Sequence, residues 1–124
     1  MMYGTDHLYK KAKEIGVKTA FGTDLAFDPV ATANQGKMLA KLGRYFTPYE
    51  ALKMATSTNA ELLKLCGPRN PYRGGDLGVI KEGAYADMVL VDGNPLEDLD
   101  LVIDPEKNFV LIMKDGKIYK NTVR

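Results

Sequence analysis

The run Gly16-Val17-Lys18-Thr19-Ala20-Phe21-Gly22-Thr23-Asp24 constrains this chain more than any other stretch. Val17, Thr19, Ala20 and Phe21 are apolar or small, and only Lys18 interrupts them. A short run of this kind, bounded by Gly16 and Gly22, predicts a strand buried on both faces of a parallel sheet. A helix is expected just before it, opening at Gly4 or Thr5. There Leu8, Ala12 and Ile15 recur at spacings of four and three and so share a face. Lys10, Lys11, Lys13 and Glu14 fill the other face, and Gly16 ends the helix at the C′ position. Helix, glycine and buried strand make half of an α/β repeat. Gly22 lets the backbone turn tightly. Asp24 then falls just past the strand's C-terminal end, the edge of an α/β sheet that carries catalytic groups. A carboxylate there either caps the next turn or does chemistry, and the tripeptide Gly22-Thr23-Asp24 suits both.

Downstream, residues 25–29 read as a loop stopped by Pro29. Phe27 and Asp28 read as ordinary loop residues, with a pocket-lining role as the alternative. A second helix is expected over about 34–42, with Met38, Leu39 and Leu42 apolar and Gly43 at its end. Thr47-Pro48-Tyr49-Glu50 is the clearest local signal: Thr47 as N-cap, Pro48 at N1, and Glu50 at N3 completing a capping box. Its helix carries Ala51, Met54 and Ala55. Thr58-Asn59-Ala60-Glu61 repeats the capping pattern, so a break and a short further helix bearing Leu62, Leu63 and Leu65 are expected there. Gly67-Pro68 stops the helical region, and Cys66 beside it reads as a small buried or half-buried residue.

The character changes at Gly67. Residues 67–75 are rich in Pro, Gly and Arg and read as a linker or loop, and the pattern beyond is β. Strands are expected over 77–80, 87–92, 109–113 and 117–119, the last two joined by an Asp115-Gly116 hairpin loop. Residues 92–106 hold six acidic side chains and no basic one. Their spacing matches no EF-hand, so this stretch reads as a solvated acidic loop.

Composition narrows the function. The 124 residues fit one domain of ordinary size. A formal net charge of +1 gives no electrostatic case for nucleic acid or an anionic membrane surface. No apolar run approaches the ~20 residues that span a bilayer. The single cysteine, Cys66, fits a reducing, cytoplasmic setting. His7 is the only histidine and reads as a solvated residue near a helix start. A zinc site of the usual kind takes three or four ligands, so one histidine leaves no complete His-ligated site.

Taken in order, several pieces resemble the C-terminal portion of an amidohydrolase-superfamily enzyme. They are Gly22-Thr23-Asp24 after the buried run; Thr47-Pro48-Tyr49-Glu50-Ala51-Leu52 leading to Ala55-Thr56-Ser57-Thr58-Asn59-Ala60; the stretch 77–92; Gly93-Asn94-Pro95-Leu96; and residues 110–119. Within the superfamily the resemblance is to the imidazolonepropionase-like and Xaa-Pro dipeptidase (prolidase-like) branch, and it covers nearly the whole chain.

The resemblance implies an α/β fold: the C-terminal part of a (β/α)8 barrel, followed by strands of a small composite β-sandwich. Residues 1–66 would supply the last barrel strand with its flanking helices, and residues 67–124 the sandwich strands. As an isolated chain this would be a mixed α+β body. The resemblance also implies that Asp24 is the carboxylate at the end of the eighth strand, a ligand of a divalent metal, usually zinc, and a carrier of the attacking water's proton. It implies hydrolysis of C–N bonds, with an amide or dipeptide as small-molecule substrate. The family's His-x-His pair, two further histidines and carboxylated lysine have no counterparts here, and a whole barrel needs roughly 250 residues. The chain is therefore expected to be the C-terminal third of such an enzyme, inactive alone, holding no metal tightly, and self-associating through its unpaired apolar strand. The competing expectation is a non-catalytic α+β module for oligomerisation or scaffolding.

Overall fold

A computed structural model describes residues 3–25 and 27–123. Helix α1, Tyr3–Glu14, ends as the glycine predicts. Gly16 takes φ 70°, the Gly16 N–H donates to Lys13 O, and the Val17 N–H donates to Ala12 O at 2.9 Å. These two bonds make a Schellman motif, which satisfies carbonyls the helix end leaves open. The buried face is not the expected one. Leu8 is 66% exposed and Ile15 64% exposed, while Asp6, Tyr9 and Ala12 turn inward. Aromatic packing decides the rotation: Tyr9 stacks on Tyr45 with centroids 4.9 Å apart and meets Phe46 edge-on at 5.6 Å.

Residues 17–21 run on from α1 without joining any sheet. A parallel strand is defined by its neighbours, and among the described residues none lies beside this one. Past Asp24, Pro29 does not stop a loop but opens helix α2, Pro29–Thr32. Asp28 caps it, its Oδ1 accepting from the Val30 and Ala31 N–H groups. Phe27 is 98% exposed. Helix α3, Gln35–Ala40, continues into a 3₁₀ turn at Lys41–Arg44, close to the expected helix.

Helix α4, Pro48–Lys53, starts on the predicted capping box, with both reciprocal bonds formed. Glu50 also accepts from Lys13 Nζ at 2.9 Å, tying α1 to this helix start. Those bonds, Lys13's first, hold the Glu50 carboxyl below its ordinary range. The expected break at Thr58 does not occur. A π-helical segment, Met54–Thr58, carries the chain straight into α5, Asn59–Lys64, and Thr58 makes no capping bond. A π-helical turn widens the helix without ending it. Leu62, Leu63 and Leu65 of this arm lie exposed, as does Cys66.

The core is small: Leu42, Ala51, Met54, Leu99 and Val102, with Phe21, Leu52 and Phe109 packed around it. Leu99 and Val102 come from the acidic stretch, so it is not simply a solvated loop. It forms a 3₁₀ turn at Leu99–Ile103 and helix α6, Pro105–Asn108, capped by Asp98 and Asp104. Its aspartates are exposed while Leu99 and Val102 are buried. Gly36 in α3 lets this turn approach: a Cβ there would stand 1.9 Å from the Val102 carbonyl oxygen.

Strands β1 (Met88–Val91), β2 (Phe109–Lys114) and β3 (Lys117–Asn121) form one antiparallel sheet in that order. The Asp115-Gly116 hairpin stands as predicted, with φ 52° and 76°, the signs a two-residue type I′ turn requires. Asp87 accepts the Asp115 N–H at 2.6 Å and steadies this turn. Residues 77–80 do not form the expected strand. Gly78 sits at φ 70° against the π-helical segment, where a Cβ would meet the Thr56 carbonyl at 2.5 Å, and Ile80 is 88% exposed. The local pairing is a single parallel bridge, Asp76 with Ala84.

Candidate active site

Asp24 lies three residues beyond Phe21, at the end of the extended run. Its φ is 54°, and its side chain is exposed. Aspartate is among the few non-glycine residues that enter the left-handed region readily, because its short polar side chain can bond locally.

The run itself is fastened from one side. Asn59 Oδ1 accepts from the Phe21 N–H at 2.9 Å, and Asn59 Nδ2 donates to the Phe21 carbonyl, also at 2.9 Å. Lys18 and Glu61 form an ion pair between the same two segments. Lys18, an interruption in the apolar pattern, thereby has a partner, and the Glu61 carboxyl lies below its ordinary range because Lys18 donates to it. In the sequence Asn59 is one residue of the Ala55-to-Ala60 motif with no role of its own. A polar residue at that point of a helix carries no signal of its own; the π-helical turn that aims it is visible only in three dimensions.

Beside the run is a cleft of about 340 Å³, lined by Thr5, Asp6, Ala20, Phe21, Thr23 and Tyr45 among others. The Tyr45 hydroxyl donates to the Asp6 carboxylate, and that bond raises the Tyr45 hydroxyl above its ordinary value. Asp24, Phe27 and Asp28 are not among its lining residues. His7 is exposed on α1. Among the described residues, no group of three or more His, Cys, Asp or Glu side chains is placed to hold a metal ion. The described residues therefore do not make a complete metal site. Among the described residues, no helix is long and apolar enough to cross a membrane.

Comparison with known proteins first defines the class. The mixed α/β chain superposes on the crystal structure of an amidohydrolase with a TM-score of 0.78 and 35% identity, covering 95% of this chain and 26% of that one. It superposes on a prolidase complexed with N-methylphosphonate-L-proline with a TM-score of 0.73 and 30% identity, covering 94% of this chain and 26% of that one. In sequence it is 37% identical over 112 residues to ochratoxinase of Aspergillus niger, which covers 90% of this chain and 21% of the relative. The model of the Amidohydrolase family matches residues 4–123. The chain belongs to the amidohydrolase family. It spans about a fifth of the length of the ochratoxinase it matches.

Proposed function

We propose that this chain is part of a metal-dependent hydrolase that cleaves C–N bonds in amide or peptide-like substrates, Xaa-Pro dipeptides among them. In this reading, residues 17–21 are the last strand of a (β/α)8 barrel. Residues 1–66 supply that strand and its helices, and residues 67–124 supply strands of the composite sandwich. Asp24 is a metal-ligating carboxylate, with the histidines and any lysine ligand contributed by other barrel strands. A carboxylate at that edge takes the proton of the attacking water and passes it to the leaving nitrogen, which would otherwise depart as a poor anion. The observation that carries the reading is a fastened, unpaired run ending in an exposed aspartate, inside a family match that covers 4–123.

Asp24→Ala in the full-length hydrolase tests it. Loss of hydrolysis by about 100-fold or more is expected, the scale of a removed proton carrier. Activity within a few-fold of the unaltered enzyme would show that Asp24 has another role.

The exposed apolar residues support a second reading of the 124 residues alone, as a non-catalytic, self-associating module. Leu8, Ile15 and Val17 stand open beside a run that lacks ladder partners. Light scattering on the purified chain should give a mass that rises with concentration. A monomer throughout the accessible range would refute self-association.

A further inference from the structure

We propose that Asn59 is a positioning residue, whose side chain pairs with the Phe21 backbone as a strand neighbour would and so sets the turn that presents Asp24. This rests on the reading of Asp24 given above. A carboxamide carries an acceptor and a donor side by side, as a peptide unit does. In an antiparallel ladder, a hydrogen-bonded pair exchanges both N–H···O bonds. Asn59 reproduces that exchange with one side chain, binding both the N–H and the C=O of Phe21 at 2.9 Å. The Phe21 side chain packs against the core, so its residue is held from two directions. Three residues later the backbone enters the left-handed region at Asp24. Only Gly22 and Thr23 separate that anchor from Asp24.

The helix is built to aim this clamp. Met54–Thr58 is π-helical, and Asn59 is the first residue after it. One extra residue per turn rotates everything that follows by about 100° relative to a regular helix. Gly78 packs its backbone onto the same wide turn, in a position where a Cβ would collide with Thr56. Glu61, on the next turn, pairs with Lys18 in the run. The π-helical turn, the glycine that covers it and the Lys18–Glu61 pair thus lie beside this one contact.

Amide hydrogen exchange on the 124-residue chain reads the clamp without an activity assay. The Phe21 amide is expected to exchange more slowly than those of Ala20 and Gly22. Asn59→Ala should speed Phe21 exchange about tenfold or more. Asn59→Asp is the more discriminating variant. At neutral pH its carboxylate still accepts from the Phe21 N–H but cannot donate to the carbonyl, so Phe21 should exchange faster than in the unaltered chain and more slowly than in Asn59→Ala. Below about pH 4 the protonated acid donates again, and the Phe21 amide should regain protection relative to the unaltered chain at the same pH. A side chain that merely stabilised the fold would change exchange at residues 110–113 in parallel, whereas the clamp changes Phe21 and leaves those amides alone. If Asn59→Ala fails to fold, the Asn59→Asp pH comparison alone decides. Unchanged Phe21 exchange in a folded Asn59→Ala chain, or no acid recovery in Asn59→Asp, would overturn the proposal. Asp24→Asn should leave Phe21 protection intact whatever Asp24 does in hydrolysis, which separates failure of the clamp from failure of the Asp24 assignment.

Discussion

Residues 109–113 and residues 17–21 are both short apolar runs, yet only the first is a strand. Phe109–Lys114 is the middle strand of its sheet, with β1 on one edge and β3 on the other. Residues 17–21 have no ladder on either edge and are held by side chains: Asn59 on Phe21, and Glu61 on Lys18. The difference does not lie in the runs themselves. A strand's backbone groups are satisfied by another strand, and the turn at Asp115-Gly116 delivers one of those neighbours within two residues. No local signal delivers a neighbour to residues 17–21.

The sharpest way to break the comparison is proline. Ile112→Pro removes a donor from the middle of the sheet and should cost several kcal/mol, on the order of 3. Thr19→Pro has no ladder to interrupt and should cost less than about 1 kcal/mol. Urea denaturation of the two variants measures both. Equal losses would mean that residues 17–21 are paired after all.

A smaller effect separates ladder from side-chain fastening by pH. Asp76 joins residues 77–80 to the helical arm through Lys64 and Lys81, and those lysines, Lys64 foremost, lower its carboxyl to about 2 from 3.8. A carboxyl depressed in the folded state contributes stability above its unfolded value, and that contribution is lost as pH falls. Stability should therefore decline as pH drops from about 4 to about 2. Asp76→Asn should flatten that part of the curve, as thermal melts across the range would record. An unchanged slope would remove Asp76 from the account.

What the sequence made legible was local. The Thr47-to-Glu50 capping box, the Gly16 helix end and the Asp115-Gly116 hairpin each close within a few residues, and each stands as read. The second capping pattern, Thr58-Asn59-Ala60-Glu61, misled because a π-helical turn offered a route through without a break. Residues 77–80 misled because an apolar run says nothing about whether a partner exists. The inward face of α1 was set by Tyr9 meeting Tyr45 and Phe46, a contact across more than thirty positions that the Leu8–Ala12–Ile15 spacing does not contain. The candidate site was legible only as its last residue. Asp24 could be picked out by its place after the run, whereas Asn59 acquires a role through the distant peptide it meets.

One exchange experiment reaches the centre of this account. In dilute solution, Lys18, Thr19, Ala20 and Gly22 should exchange their amide hydrogens rapidly, Phe21 slowly, and residues 110–113 slowest of all. A continuous block of protection across 17–21, matching that of 110–113, would contradict the claim that this run is held by side chains of one helix in place of ladder neighbours.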